Sequence, residues 1–379
     1  MPNVDGTNND ATALSRFAAL AALTFSCVML AGVWQVMSAT MNPSVLEYPR
    51  SWNDFMQGRS TGTLEKRIEE KLPARAALIT IANSARYLFT GSGGDQVRTG
   101  KDGWLFLTDE LRFETDGSTH LKIRAELLGA AARALDQLGV KLVVVLVPDK
   151  ARVHASKLSG GRYPDYNSAR YQDGLDALQR QGVMTVNLLK PLARAAAQQE
   201  VYYRTDTHWN QAGARLAADE VASVVHQLGI ALEASTFSSN PGGVPVERSG
   251  DLIRLMGLED VSKALGLHPD TEIPVVTRQT SVDSAIGLFG DSAVPVVLTG
   301  TSYSLRANFV GFLQQALSTK VLNAARDGGG FLQATSQYLN DDSFKSAKPK
   351  VLIWELPERF LWNKLDEEPK WLEKVGLNH

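Results

Sequence analysis

An acid and a histidine stand two residues apart in the segment Thr205–Trp209, which reads Thr-Asp-Thr-His-Trp. A histidine that acts as a base needs a carboxylate to hold its tautomer and to stabilise its cation. Asp206 and His208 are therefore a candidate orienter and base. The alternatives are a surface turn that only leads into a helix capped by Asn210, and a pair of metal ligands.

A serine follows an apolar run in the second half of the chain. Val294–Thr299 is predicted to be a strand, Gly300 allows a tight turn, and a helical pattern follows Ser302. Enzymes of the α/β class expose a nucleophile at such a turn, where backbone N–H groups stabilise developing negative charge. Ser302 is the candidate nucleophile. The alternative is a serine that only caps the helix, although Ser304 is the better predicted cap.

A glycine-rich loop over Asn323–Gly330 follows another predicted strand. Backbone N–H groups near Gly328 and the guanidinium of Arg326 are candidates to stabilise an oxyanion or to hold an acceptor. The alternative is a flexible connection between strand and helix. A second candidate nucleophile, Ser292, follows Gly-Asp but precedes a strand, and we interpret that segment as a turn.

Aromatic and charged side chains near these motifs have two interpretations each. Trp209, Tyr303 and Trp104 are candidates to stack on sugar rings, and they are equally consistent with core packing. Glu358 and Arg359 are predicted to form an ion pair at the rim of the cleft, with a structural role favoured over a catalytic one.

The elements that must position these residues alternate between apolar strands and amphipathic helices, which predicts an α/β fold with a parallel sheet flanked by helices. Ligands in such sheets bind beyond the carboxyl ends of the strands. Strands are predicted over Leu142–Val147, Val183–Leu188, Val294–Thr299, Val321–Ala325 and Val351–Trp354. Helices are predicted over Gly62–Leu88 with a break at Pro73, Ile123–Leu138, Tyr171–Gln181, Gln211–Leu228, Leu305–Leu317 and Phe331–Leu339.

The N-terminal part of the chain contains an uncharged apolar stretch, Phe17–Met37, long enough to cross a bilayer core. We interpret it as a membrane anchor, with a cleaved signal peptide and a buried soluble helix as alternatives. The predicted organisation is a tail and anchor over 1–40, a linker and helical segment over 41–95, and a catalytic domain over 96–379. A less regular insertion is predicted near the site at 229–290.

The composition of the 379 residues excludes some classes of protein. A formal charge of −2 shows no excess of basic residues, which argues against nucleic acid as a partner. The single cysteine, Cys27, lies in the apolar stretch, and the six histidines do not cluster with it. We therefore expect neither a structural metal site nor a cofactor.

Five segments together resemble the alginate O-acetyltransferase family of the AlgJ and AlgX type, and in particular its membrane-anchored AlgJ members. They are Gly-Lys-Asp-Gly-Trp-Leu-Phe at 100–106, Pro-Asp-Lys at 148–150, Thr-Asp-Thr-His-Trp at 205–209, Gly-Thr-Ser-Tyr-Ser at 300–304 and Trp-Glu-Leu-Pro-Glu-Arg at 354–359. The resemblance implies an SGNH-hydrolase-like fold with Ser302 as nucleophile, His208 as base and Asp206 as orienter.

The resemblance also implies a function. The expected reaction is acetylation of hydroxyls on an exported polysaccharide, alginate-like or other, through an acetyl-serine. The expected partners are the polysaccharide, a membrane O-acyltransferase that supplies acetyl groups, and other secretion subunits at the periplasmic face of the inner membrane. A carbohydrate acetylesterase with the same triad and a non-catalytic glycan-binding subunit are the alternatives.

Overall fold

The computed structural model describes residues 7–42, 51–57, 59–280, 294–366 and 368. Ser292 lies outside the described residues. The chain divides into two compact units, Met1–Ala85 and Arg86–His379.

The first unit is helical. Its helices, the last of which continues into the second unit, are Thr7–Thr40, Trp52–Met56, Arg59–Glu70 and Arg75–Thr90. The break predicted at Pro73 is confirmed, because one helix ends at Glu70 and the next begins at Arg75. By length and composition, Leu23–Thr40 is apolar enough to cross a membrane, as the sequence predicts.

The second unit is built on a parallel sheet. Its strands are β1 (Val97–Thr99), β2 (Leu105–Leu107), β3 (Lys141–Val147), β4 (Met184–Asn187), β5 (Phe237–Pro241), β6 (Val246–Arg248), β7 (Asp270–Glu272), β8 (Val275–Gln279), β9 (Val296–Thr299), β10 (Val321–Asn323) and β11 (Val351–Pro357). Five of these strands pair in the order β10-β9-β11-β3-β4, and every pair is parallel.

Helices of the second unit connect these strands. The α-helices of four or more residues are Thr108–Leu111, Gly117–Gln137, Lys150–Val153, Arg170–Arg180, Leu189–Ala196, Gln211–Gln227, Asp251–Leu255, Phe309–Leu317, Gln333–Asn340 and Asp342–Ser346. The helix Leu189–Ala196 was not predicted. The helix has only eight residues and contains Pro191, which usually argues against a helix. Pro191 lies in the first turn, where a helix tolerates proline.

Successive side chains of the central strands enter two different cores, because they point to opposite faces of the sheet. On one face, β3 contributes Val143, Val145 and Val147, which share a buried cluster with residues of the helices Gln211–Gln227 and Phe309–Leu317. On the other face, Leu142, Val144 and Leu146 share a cluster with the helices Gly117–Gln137 and Arg170–Arg180. The predicted α/β class, with helices on both faces, is confirmed.

Short antiparallel pairs lie outside the sheet. β1 pairs with β2, β5 with β8, and β6 with β7. A third buried cluster joins Val97 and Leu105 of the first pair to Leu252 and Ile253 of the helix Asp251–Leu255. The segment that precedes the parallel strand β9 therefore packs against the hairpin that precedes β3.

Candidate active site

Ser302 lies directly beyond the carboxyl end of β9. Gly300 takes a φ of 150°, and a single 3₁₀ turn then runs over Ser302–Leu305. The side chain of Thr301 caps this turn by accepting a hydrogen bond from the backbone N–H of Tyr303 at 3.3 Å. The α-helix begins only at Phe309, because the backbone at residues 307 and 308 is left-handed.

The cap predicted at Ser304 is wrong. Ser304 is buried, and its hydroxyl donates to the carboxylate of Glu355 at 3.0 Å. The side chain that accepts from an N–H group of this turn is that of Thr301, which precedes the turn as a cap must.

Ser302, His208 and Asp206 form one hydrogen-bonded chain. The Oγ of Ser302 lies 2.7 Å from Nε2 of His208, and Nδ1 of the same ring lies 2.5 Å from Oδ1 of Asp206. His208 is 5% exposed, which shields the ring from water while Ser302 stays partly open. The arrangement suits proton transfer from the serine to the imidazole, with the carboxylate holding the ring.

The carboxylate of Asp206 is stabilised in its charged form. Burial raises its pKa. The hydrogen bond and charge of the His208 ring and the backbone N–H groups of His208 and Asp251 lower the pKa by more than this, so that the result is about 2. The two N–H groups lie 2.9 and 3.1 Å from its oxygens. Asp206 is therefore ionised at neutral pH, as an orienter must be.

A second carboxylate approaches the same ring. Oδ2 of Asp251 lies 3.7 Å from Nδ1 of His208, and Asp251 accepts hydrogen bonds from the backbone and the hydroxyl of Thr207. Asp206, His208 and Asp251 each place one potential metal ligand within 4.8 Å of the others. Since both nitrogens of the ring already face Asp206 and Ser302, the hydrogen bonds favour proton transfer over metal binding at this position.

The loop that carries the histidine is held by contacts from distant parts of the chain. Nζ of Lys150, which is fully buried, donates to the backbone carbonyls of Leu105, Arg204 and Asp206 at 2.5, 2.8 and 2.9 Å. Asp270 accepts from the backbone N–H groups of residues 204 and 205 at 2.8 and 2.9 Å. Asn210 caps the helix that follows, as predicted.

Sequence reasoning missed these supporting residues for two different reasons. Lys150 belongs to the Pro-Asp-Lys motif, but the sequence does not show which carbonyl groups it binds. Asp251 and Asp270 lie in the irregular segment, which carries no motif. Only the folded chain brings their carboxylates to the histidine loop.

Tyr303 and Trp209 do not fit the sugar-stacking role expected for them. Their exposed fractions are 1% and 0%, and Trp104 is equally buried at 1%. Tyr303 donates its hydroxyl to the backbone carbonyl of Thr207 at 2.7 Å, and its ring lies 4.8 Å from that of His208. Both rings therefore pack beneath the histidine as core residues and cannot meet a glycan.

Arg326 and Gly328 are exposed but do not line the cavity above Ser302, which has a volume of about 270 Å³. The glycine-rich loop reaches this cavity through Asp327, which forms an ion pair with Arg306 at 2.7 Å. Arg326, predicted to stabilise an oxyanion or to hold an acceptor, is not among the residues that line the cavity. Arg306, which ends the turn over Ser302–Leu305, lines the cavity.

The predicted ion pair between Glu358 and Arg359 is also wrong. Glu358 pairs with Arg152 and Arg170, whereas Arg359 lies beside Asp149 and Glu110. All of these carboxylates are buried, so the segment belongs to an internal charge network and not to the rim of the cleft.

Comparisons with known proteins agree with this geometry. Residues 97–358 match the family model described as the SGNH hydrolase-like domain of the acetyltransferase AlgX. The chain is 30% identical over 365 residues to the probable alginate O-acetylase AlgJ of Pseudomonas syringae pv. tomato, which covers 93% of this chain and 91% of the relative. It is 30% identical over 346 residues to the AlgJ of Azotobacter vinelandii, with 89% and 87% covered.

Two solved structures share the fold. The O-acetyltransferase domain of Pseudomonas putida AlgJ superimposes with a TM-score of 0.66 at 33% identity, covering 75% of this chain and 99% of that domain. Pseudomonas aeruginosa AlgX superimposes with a TM-score of 0.57 at 26% identity, covering 72% and 64%. The chain therefore belongs to the AlgX-type family of SGNH hydrolase-like acetyltransferases, and it is an O-acetyltransferase of that family.

Proposed function

We propose that this enzyme acetylates hydroxyl groups of an exported polysaccharide through an acetyl group carried on Ser302. The observation that carries the proposal is the distance of 2.7 Å between Oγ of Ser302 and Nε2 of His208, with Asp206 on the far side of the ring. This is the arrangement that a serine needs in order to become a nucleophile at neutral pH.

The first half of the reaction loads the enzyme. Nε2 of His208 accepts the proton of Ser302 while Oγ attacks the carbonyl carbon of the acetyl donor. The imidazolium that forms is stabilised by Asp206. It returns its proton to the leaving group as the tetrahedral intermediate collapses, which leaves an acetyl ester on Ser302 and releases the deacetylated donor.

The second half transfers the acetyl group. A sugar hydroxyl bound above Ser302 gives its proton to His208 and attacks the ester carbonyl. The bond to Oγ breaks, and the serine regains its proton from the imidazolium. If water takes the place of the sugar, the same steps make the protein an acetylesterase, so transfer depends on an acceptor that fills the cavity.

Charged side chains of both signs line the cavity, since Asp206, Asp251, Asp270 and Asp327 stand there beside three arginines, and the contact for an acidic glycan is therefore sought at a single guanidinium. Arg248, Arg254 and Arg306 all line it. Arg248 and Arg306 have carboxylate partners, while within the described residues the guanidinium of Arg254 has none. A free guanidinium can bind the carboxylate of a uronate unit. Since the relatives are named as alginate O-acetylases, alginate is the first polymer to test.

The N-terminal helix supports the location that we propose, and the names of the relatives support partners in polysaccharide biosynthesis. Leu23–Thr40 would hold the enzyme in the inner membrane with its second unit on the periplasmic face, where exported polymers pass. A membrane O-acyltransferase would supply acetyl groups there, and other secretion subunits would deliver the polymer.

The test is mass spectrometry of a defined oligomannuronate incubated with the full chain and an acetyl donor. A gain of acetyl groups that is lost in Ser302→Ala supports the transferase. Loss of acetyl groups from an acetylated oligomer without any gain indicates the esterase instead. If acetylation in cells is unchanged in Ser302→Ala, the protein is a non-catalytic subunit and the proposal is wrong.

A further inference from the structure

A buried carboxylate that the proposed reaction does not use lies behind the nucleophile. Glu355, near the end of β11, is 0% exposed. Among the described residues, no lysine or arginine pairs with it. An isolated buried carboxylate is strongly destabilising unless hydrogen bonds or a functional role compensate for it.

Among the described residues, the hydrogen bonds that the carboxylate of Glu355 accepts come from the turn that carries Ser302. The backbone N–H of Thr301 donates to Oε2 at 2.8 Å, and the hydroxyl of Thr301 lies 3.0 Å from both carboxylate oxygens. The hydroxyl of Ser304 donates to Oε2 at 3.0 Å. Glu355 therefore holds the residues on both sides of the nucleophile.

The register of the sheet explains this position. β11 pairs with β9 up to Trp354 opposite Thr299, so the next residue of β11 lies beside the turn that leaves β9. The contact is close enough to require glycine, because a Cβ on Gly300 would come within 2.7 Å of the backbone carbonyl oxygen of Glu355 and 2.8 Å of its Oε2.

Burial is the main influence on the charge of Glu355. It raises the pKa of this carboxyl above its ordinary value, and the hydrogen bonds from Thr301 and Ser304 and the charge of the His208 ring offset only part of the rise. The carboxylate therefore depends on the turn for the hydrogen bonds that compensate for its burial.

We propose that Glu355 is a positioning residue that fixes the turn around Ser302. This inference rests on the proposed role of Ser302 as nucleophile. It gives the segment 354–359 a role at the nucleophile, separate from the ion pairs that Glu358 forms.

The experiment measures the nucleophile directly. Phenylmethylsulfonyl fluoride labels an activated serine by forming a bond between sulfur and Oγ with loss of fluoride. Its second-order rate of labelling Ser302 is measured in the full chain, together with kcat and KM for 4-nitrophenyl acetate. The variants are Glu355→Gln, which keeps the shape and removes the charge, and Ser304→Ala, which removes one hydrogen bond.

We expect Glu355→Gln to lower both the labelling rate and kcat by about 10- to 100-fold, and Ser304→Ala by about 3-fold, with KM changed less than about 2-fold. The matched controls are Glu247→Gln, at an exposed glutamate paired with Lys263, and Ser262→Ala, at a buried serine that bonds to the carbonyl of Glu259. Both should keep the wild-type rates.

Each outcome decides a different point. Wild-type labelling rates in folded Glu355→Gln and Ser304→Ala would overturn the inference and leave the nucleophile intact. If Glu355→Gln does not fold, as judged by circular dichroism, Ser304→Ala decides alone. If the wild-type chain is not labelled at Ser302, the proposed function itself is wrong.

Discussion

The two halves of the site are held in place by different means. The nucleophile turn, residues 300–304, continues a strand of the sheet and is fixed by one neighbouring carboxylate. The histidine loop, residues 201–210, is not a strand of the sheet and is fixed by Lys150, Asp251 and Asp270, which come from three separate segments.

The two reacting residues therefore differ in how many contacts hold them in position. The register of β9 and β11 places Ser302, and the end of β10 with the segment after it adds two hydrogen bonds, from Arg326 to the carbonyl of Gly300 and from Asn323 to that of Ser304. His208 must be brought to the serine across 94 positions of the chain, so many polar contacts share the task. We therefore expect that substituting any one residue that holds the histidine loop weakens the alignment of His208 with Ser302 only in part. Ser302 and His208 themselves act as one unit.

The largest effect is expected when a reacting residue is removed from either half. Ser302→Ala and His208→Ala should each lower the rate of acetyl transfer by about 10³-fold or more, and the double variant should be no slower, because neither residue works without the other. Steady-state rates of the three variants check this. Additive losses would mean that the two halves act separately.

A smaller effect is expected from loosening the histidine loop. Lys150→Met removes the ammonium that binds three backbone carbonyls, so the free energy of unfolding should fall by about 2 kcal/mol and kcat by about 10-fold. Chemical denaturation and initial rates measure the two quantities.

The matched control is Lys157→Met, because among the described residues the ammonium of Lys157 pairs with the exposed Asp102 alone, and a solvated surface pair adds little to stability. Equal losses in the two variants would contradict the role assigned to Lys150.

On the nucleophile side, Gly300→Ala introduces a Cβ against Glu355 and should lower stability by about 2 kcal/mol and kcat by several-fold. Gly328→Ala is the control, since its φ of 68° is also left-handed but a Cβ there meets nothing within 4 Å. It should reduce stability by only about 1 kcal/mol. Thermal unfolding of both variants tests whether the clash or the backbone angle matters.

The last effect is a pH dependence of stability. Because the folded-state pKa of Asp206 is lowered to about 2 from 3.8, its ionised form adds stability above the ordinary value. This contribution is lost as the pH falls from 3.8 toward 2. The difference in unfolding free energy between the wild type and Asp206→Asn should therefore shrink across that window. A constant difference would show that Asp206 keeps an ordinary pKa.

The sequence predicted the parts of the molecule that local patterns determine. The apolar runs of β3, β9 and β11 identified the sheet, and the serine after β9 stood where such sheets place a nucleophile. The motif around Asp206 and His208 identified the histidine loop, which is the other half of the site.

Burial and long-range pairing were beyond the sequence, because they depend on how distant segments meet. Trp209 and Tyr303 are aromatic residues of the kind that stack on sugars, yet both are buried, Tyr303 against the ring of His208 and Trp209 against that of Tyr303. Arg306 lines the cavity and Arg326 does not, which the spacing of the two arginines along the chain could not show.

The most direct test is to trap the acetyl group itself. The full chain is mixed with 4-nitrophenyl acetate, quenched in acid and digested, and the peptides are sequenced by mass spectrometry. We predict one acetyl group on Ser302, absent in Ser302→Ala and accumulating more slowly in His208→Ala. Acetylation at another residue, or an unchanged amount in Ser302→Ala, would contradict the account.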